Sequence, residues 1–172
     1  SLNKPYIYDI SLSNNKISRE NNSLILAANI RQEENDSNLK SNLVTDFTLV
    51  FGLRNTSTSS NKTLYVDYGD FSYISENNYR FAKEIIFNES SLDSLGDYEL
   101  NYVQIYDHRN YSGFNTTIRI GETYSSESGK NLLDPWTDEQ KKALSDLGII
   151  DTNIFDVTVE EVLPSKNTEF PY

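Results

Sequence analysis

The chain offers few residues for acid–base or nucleophilic catalysis. Its only histidine, His108, lies between Asp107 and Arg109, and there is no cysteine among the 172 residues. A catalytic triad needs a histidine oriented by a carboxylate and a nucleophile on a strained turn, but no G-x-S-x-G motif occurs. Asp107 and His108 are adjacent, so on a strand they point to opposite faces and cannot form the orienting pair. We therefore expect no catalytic residue and no enzymatic activity.

Calcium is the one metal that the sequence brings into consideration, because the chain has many carboxylates but almost no zinc ligands. One histidine and no cysteine exclude an ordinary zinc site, whereas calcium takes about six to eight oxygen ligands. Asp67 and Asp70 flank Gly69 at the end of one predicted strand, and Asp107 ends another. No EF-hand spacing is present, and an aspartate in a turn also accepts hydrogen bonds from backbone N–H groups. The sequence predicts no cofactor, with a calcium ion on Asp67, Asp70 and Asp107 as the alternative.

Aromatic residues are the remaining candidates for ligand binding. The chain has 12 Tyr, 8 Phe and one Trp, and tyrosine is frequent at binding surfaces. Tyr102 and Tyr106 lie opposite the apolar positions of their predicted strand, where they would form an exposed aromatic strip. Tyr111 and Trp136 complete the candidate set. The alternative is that these rings pack under loops or against a helix, in which case Trp136 would hold the helix to the sheet.

The charge of the chain limits its partners. It has 26 Asp and Glu against 15 Lys and Arg, a formal net charge of −11. Nucleic-acid binding needs a basic surface and anionic membranes repel an acidic one, so we expect no nucleic acid and no membrane insertion. No apolar run reaches the roughly 18 residues of a membrane-spanning helix. Because the chain has no Met, we expect a processed product or an excised piece, for which export stays open.

Alternating apolar residues predict the strands that must position these side chains. The clearest strand is 44–54, in which every second residue from Phe47 to Leu53 is apolar. We expect it to form a hairpin with 63–68. Further strands are predicted at 4–13, 23–31, 71–74, 79–87, 114–120 and 153–163, with a helix as the alternative at 79–87. A turn is predicted at Asn14–Lys16 and one helical turn within 88–95. The total is about seven or eight strands.

The central stretch, residues 96–120, contains a change of phase. Tyr98 and Leu100 share one face of a strand, and Val103, Ile105 and Asp107 share one face, but the two sets are out of step by one residue. A β-bulge near Asn101–Tyr102 would return both sets to the same face. The alternative is a strand buried on both faces, which its polar residues would tolerate poorly.

One short helix is predicted before the last strand. Thr137 is a candidate N-cap with Gln140 three residues later, as in a capping box, and Gly148 follows the apolar stripe at the usual C-terminal position. We expect a single domain over 1–163 with a helical insertion at about 134–148. Residues 164–172 are expected to be a C-terminal tail or linker.

Five residues of the central stretch carry a resemblance to a known family. Tyr98, Leu100, Val103, Ile105 and Asp107 match the aromatic, leucine and Ile-x-Val/Ile-x-Asp run of bacterial immunoglobulin-like modules in Gram-positive secreted and cell-surface proteins. The following turn, 108–113, departs from the short Ala-Gly-Asn turn of those modules, and the resemblance is weaker over the rest of 5–120. It implies an all-β, immunoglobulin-like Greek-key β-sandwich with one short helix inserted before the last strand.

The resemblance and the missing catalytic residues together imply a non-catalytic structural or adhesive module of an exported or surface-anchored bacterial protein. Its location would be extracellular or at the cell surface. Its partners would be neighbouring domains of the same chain, and a surface glycan or a host protein. One alternative is a carbohydrate-binding module of a secreted glycoside hydrolase, and another is a phage tail or baseplate module that recognises its host. Such sandwiches host many unrelated functions, so the architecture alone does not choose among these.

Overall fold

The computed structural model describes residues 5–32, 47–87, 95–107, 116–121 and 134–160. Within these ranges the chain forms ten strands, one α-helix and two short 3₁₀ turns. The strands are β1 (Pro5–Leu12), β2 (Lys16–Ile17), β3 (Ser23–Gln32), β4 (Phe47–Asn55), β5 (Asn61–Val66), β6 (Phe71–Ser75), β7 (Asn78–Ile86), β8 (Gly96–Asp107), β9 (Thr116–Gly121) and β10 (Val157–Val159). The helix α1 is Asp138–Asp146, and the 3₁₀ turns are Tyr68–Asp70 and Thr152–Phe155.

The strands form two sheets. The four-stranded sheet has the order β1-β3-β7-β6, with antiparallel pairs throughout. The six-stranded sheet has the order β2-β10-β8-β4-β5, with β9 also paired to β8, and in it β2 and β10 run parallel. Because β4 pairs with residues 98–107 of β8, β10 and β9 share the other edge of β8, at residues 96–98 and 102–107. The predicted hairpin of β4 with β5 is confirmed.

The two sheets face each other across one apolar core. Alternate residues point inward because side chains on a strand alternate between faces. From the four-stranded sheet these include Leu24, Leu26, Ala28, Ile30, Phe81 and Ile85, and from the six-stranded sheet Phe47, Leu49, Phe51, Leu53, Leu64 and Val66. All belong to a single contiguous cluster. The chain is therefore an all-β sandwich of two layers, as the alternating pattern predicts.

The predicted β-bulge in β8 is confirmed. Tyr102 is paired with Gly52 of β4, but the next pair joins Leu100 to Leu53, so Asn101 is the extra residue. The residues before and after the bulge, Tyr98, Leu100, Val103 and Ile105, are all buried in the core. The bulge thus lets one strand keep its apolar residues inside over its whole length, and it fixes which residues of β8 point outward.

The helix α1 begins and ends where the sequence predicts. Thr137 Oγ1 accepts a hydrogen bond from the Gln140 backbone N–H at 3.1 Å, and Gln140 Oε1 accepts one from the Thr137 N–H at 3.0 Å. This is the reciprocal capping box. Leu144 and Leu147 are buried in the shared core, so the helix packs against the sandwich.

The chain after α1 approaches the first strand closely. The Ile7 N–H donates to the Leu147 carbonyl at 2.8 Å, and a β-carbon at Gly148 would lie 1.8 Å from the Ile7 carbonyl oxygen. Gly148 has φ +95°, a conformation that glycine adopts without strain. This contact joins the edge of the four-stranded sheet to the segment that leads into β10 of the six-stranded sheet.

Four details of the predicted elements are wrong. Residues 153–155, expected to begin the last strand, lie in the 3₁₀ turn Thr152–Phe155, because Asp151 Oδ1 accepts from the Asn153 N–H at 2.9 Å and Phe155 packs on Phe51 with ring centroids 5.1 Å apart. Lys16, expected in a turn, begins β2. Tyr68, expected to end a strand, lies in the first 3₁₀ turn.

The strand total is also wrong: the described part of the chain has ten strands, and β2, with two residues, is too short to show a pattern. The helical turn expected within 88–95 lies almost wholly outside the described residues, and so does the expected tail at 164–172.

Candidate functional site

The outer face of the six-stranded sheet brings the candidate ligand-binding residues together. After the bulge, Val103 and Ile105 point into the core, so Tyr102, Gln104 and Tyr106 point outward. The neighbouring strands place further residues beside them in three rows across the sheet. From β5 towards β9 the rows are Asp67, Thr48, Tyr106; then Tyr65, Val50, Gln104, Arg119; then Thr63, Gly52, Tyr102, Gly121. We call this surface, which contains Tyr65, Tyr102 and Tyr106, the tyrosine face.

Tyr102 lies flat across its neighbouring strand. A β-carbon at Gly52 would lie 1.8 Å from Tyr102 Cε1, and 2.3 and 2.4 Å from the ring atoms Cδ1 and Cζ on either side. A point in the plane of the ring, outside Cε1, would be clearly further from both of these neighbours. The β-carbon position is therefore above the ring, and one face of Tyr102 rests on the Gly52 backbone. The other face of the ring is directed away from the sheet.

Polar groups beside the rings are held in fixed orientations. Arg119 Nε donates to Gln104 Oε1 at 3.3 Å, and Thr48 Oγ1 donates to Asp67 Oδ1 at 3.1 Å. Gln104 and Thr48 are only 5% and 4% exposed although they lie on an outer face, whereas Tyr65 is 46% exposed. Hydrogen bonds that are shielded from water lose little to competition with solvent, so these polar side chains are well ordered.

The structure brings together two of the four predicted ligand-binding residues. Tyr102 and Tyr106 lie on the tyrosine face, about 13 Å apart along β8. Trp136 is partly buried against the core, and a β-carbon at Gly121 would lie 3.0 Å from its Cη2 and Cζ3 atoms. That position favours the alternative in which Trp136 holds the segment before α1 to the sheet. Tyr111 lies outside the described residues, as does His108.

The three predicted calcium ligands are placed in different ways. Asp70 Oδ2 accepts hydrogen bonds from the Asp67 N–H and from Lys83 Nζ, both at 2.9 Å, and Asp67 Oδ1 accepts from Thr48. A cation here would have to replace these partners. Asp107 is the last residue of β8 and pairs with Phe47. Among the described residues there is no group of three or more His, Cys, Asp or Glu that could hold a metal ion, and calcium binding stays an untested prediction.

A cluster of carboxylates lies at the opposite end of β8. Partial burial raises the pKa of Asp156 above its ordinary value of 3.8, and the nearby charges of Glu99, Asp151 and Asp97 raise that pKa further. Asp97 and Asp151 are held in place, because Asp97 Oδ1 accepts from Thr158 Oγ1 at 2.8 Å and Asp151 caps the second 3₁₀ turn. The cluster is a local concentration of negative charge that the folded chain tolerates at a cost in stability.

Sequence reasoning missed the parts played by Gly52, Gln104 and Arg119 on the tyrosine face. For Gly52 a signal was present, because an isolated glycine at an outward position of a strand indicates close approach by another group. For the other two, the pairing register of β8 with β9 was needed. That register follows from a connection whose length and turn chemistry give no regular hairpin signal in the sequence.

No protein-family model matches the sequence, and no curated protein matches it. Within the described ranges, the only α-helix of the chain is too short and too polar to cross a membrane. The resemblance to bacterial immunoglobulin-like modules therefore stays a prediction from the sequence.

Proposed function

We propose that the chain is a non-catalytic structural or adhesive module of an exported or surface-anchored bacterial protein, with an immunoglobulin-like Greek-key fold. The observation that supports this most directly is the strand order, β1-β3-β7-β6 opposite β10-β8-β4-β5. Immunoglobulin sandwiches place strands A, B, E and D in one sheet and G, F and C in the other, with C′ added in some types. In chain order, β1, β3, β4, β5, β6, β7, β8 and β10 fill positions A, B, C, C′, D, E, F and G.

Two further features support the immunoglobulin-like assignment. Tyr98 is fully buried near the start of β8, where immunoglobulin domains carry a structural tyrosine near the start of strand F. Strand β9 and helix α1 both lie between β8 and β10, which is the F–G connection in this assignment. These two additions thus lie in one connection, whereas β2, the other strand outside the assignment, lies between β1 and β3.

The proposed location follows from likeness in architecture, since many cell-surface domains are sandwiches of this kind. An antibody raised against the purified chain should label intact cells of the source organism, while an antibody against a cytosolic protein labels them only after permeabilisation. Labelling that needs permeabilisation would contradict a surface location. Recovery of the chain in phage particles would favour the phage tail alternative instead.

The proposed absence of catalysis is tested separately. The purified chain is incubated with soluble neutral and acidic polysaccharides, and the reducing ends released are measured over time. We expect no release above a heat-denatured control, because glycosidic cleavage needs two carboxyls about 5–10 Å apart in a cleft, and no motif marks such a pair among the 26 Asp and Glu of the sequence. A time-dependent release that scales with the amount of chain would show that it is an enzyme.

A carbohydrate-binding module is the second candidate, and the flat orientation of Tyr102 favours it. Pyranose rings stack their C–H groups on the electron-rich face of an aromatic ring, so a ring that lies parallel to the protein surface suits a sugar better than one that stands on edge. Tyr65 and Tyr106 lie on the same face, and the exposed Arg119, which a hydrogen bond to Gln104 holds in place, supplies donors beside the rings.

A further inference from the structure

We propose that the tyrosine face binds internal units of a neutral polysaccharide, with a pyranose ring stacked on the outward face of Tyr102. The inference rests on the proposed role as a binding module and names its ligand class and its main contact. Gly52 acts as the positioning residue, because its missing side chain leaves the space in which Tyr102 lies flat.

The first step concerns the orientation of Tyr102. A tyrosine on an open sheet face is normally free to stand away from the sheet, and binding then has to restrict its rotation. Here the ring rests on the Gly52 backbone, so its flat position is set before any ligand arrives. A preorganised flat ring is the arrangement that stacking on a sugar ring requires, and it reduces the entropy lost on binding.

The second step concerns the groups around the ring. Tyr106 lies about 13 Å from Tyr102 along β8, and Tyr65 lies two strands away, at about 10 Å across the sheet. Between them, Gln104 and Arg119 form a hydrogen-bonded pair that is mostly shielded from water at Gln104. Tyr65 and Arg119 are exposed and Tyr102 and Tyr106 are partly exposed, so the surface offers several contacts along an extended ligand. Because these contacts are spread over about 13 Å, they suit consecutive units inside a linear glycan more than a single terminal unit.

The third step concerns charge. The chain has a formal net charge of −11, and on the tyrosine face the charge of Arg119 is offset by that of Asp67. The negatively charged protein would repel an acidic polysaccharide, and the tyrosine face has no excess positive charge to offset this repulsion. A neutral glycan is not repelled. The charge balance thus favours neutral hexose polymers over uronic-acid polymers.

The test is native gel electrophoresis of the whole chain with a soluble polysaccharide cast into the gel. The probes are hydroxyethylcellulose, a β-1,3-glucan, glycogen and mannan as neutral polymers, and alginate as the acidic one. We expect at least one neutral polymer to retard the chain, and alginate to have no effect at moderate salt. Absence of retardation by all the neutral polymers, or retardation by alginate alone, would overturn the proposal.

Substitutions identify the surface. Tyr102→Leu keeps an apolar side chain over Gly52 but removes the aromatic face, and it should weaken retardation about tenfold, while Tyr102→Phe should retain it. Tyr73→Leu, at the edge of the four-stranded sheet where Tyr73 is 68% exposed, is the matched control and should bind like the native chain. Gly52→Ala should displace the ring and weaken binding as Tyr102→Leu does.

Thermal unfolding of each variant separates loss of the site from loss of the fold. Tyr102→Leu that melts cooperatively near the native temperature and still binds fully would overturn the proposal. The cell-labelling result is independent of this test, so a surface module that binds no neutral glycan would lose only the inference about its ligand.

Discussion

Asp156 is a residue whose charge the fold disfavours. Its pKa is raised by partial burial and by three neighbouring carboxylates, so the folded chain holds the proton more tightly than the unfolded chain. As the pH rises from below 3.8 through the raised pKa, the folded state loses stability, and near neutral pH the full penalty is present. We expect Asp156→Asn to melt at a higher temperature than the native chain at about pH 7 and at the same temperature at about pH 3.

The control for Asp156→Asn is Glu76→Gln, which removes an exposed carboxylate in the turn between β6 and β7. Because Glu76 lies away from the carboxylate cluster, its removal should change the melting temperature less at neutral pH. Added salt should shrink the gain from Asp156→Asn, since salt screens the neighbouring charges. Equal gains from both variants, or a gain that persists in acid, would contradict the interpretation.

Single residues of the candidate site were predictable only in part. The face of Tyr102 and Tyr106 follows from a period of two and a bulge, both of which are visible in the sequence. The position of Tyr102 over Gly52 depends on which residue of β4 pairs with which residue of β8. That pairing joins residues about fifty positions apart, and no local pattern specifies it. The ion pair of Asp70 with Lys83 also depends on strand pairing, because Asp70 directly precedes β6 and Lys83 lies in the neighbouring strand β7.

At the scale of elements, the end of α1 depends on Gly148. A β-carbon there would lie 1.8 Å from the Ile7 carbonyl oxygen, and φ is +95°. We expect Gly148→Ala to lower the free energy of unfolding by about 2 kcal/mol or more, because it combines backbone strain with an overlap against backbone atoms that cannot move aside. In a domain of this size that corresponds to a fall in melting temperature of about 4–8 °C, measured by circular dichroism.

Gly69→Ala is the matched control for this prediction. Gly69 lies in the first 3₁₀ turn, and a β-carbon there would meet nothing within 4 Å. The same chemical change should therefore alter the free energy of unfolding by less than about 1 kcal/mol. If the two variants lost similar stability, the close approach of α1 to β1 would not be what holds this connection in place.

Elements with long, regular patterns were predictable, and the shortest strand was not. The capping box placed the start of α1, an apolar run placed β3, and alternation over several residues placed β4. β10, with three residues, lies within the predicted last strand and pairs with β8. β2 has two residues and is a strand because β10 lies beside it: the Thr158 N–H donates to the Asn15 carbonyl and the Glu160 N–H to the Ile17 carbonyl. An element as short as β2 is set by tertiary contacts that local sequence does not encode.

At the scale of the whole molecule, one stretch of chain belongs to both sheets. β1 lies at the edge of the four-stranded sheet, and β2 follows within a few residues in the six-stranded sheet. The hydrogen bond from Ile7 to Leu147 makes a second link, since the segment after α1 leads into β10. The sequence predicts two layers of strands, but it does not indicate these links, because the pairing of β2 with β10 and the bond from Ile7 to Leu147 each join residues more than a hundred positions apart.

These links predict that the two sheets unfold together. Leu26 of β3 is fully buried in the core that both sheets share, and we expect Leu26→Ala to reduce the free energy of unfolding by about 2–5 kcal/mol. Circular dichroism reports both sheets, whereas the fluorescence of Trp136 reports the segment next to β9. If the sandwich is one cooperative unit, denaturant midpoints from the two probes should fall together.

Ile25→Ala, at an outward position 45% exposed in the same strand, should leave both midpoints nearly unchanged. A Trp136 transition that stayed at its native midpoint in Leu26→Ala would show that the six-stranded sheet is stable without its partner.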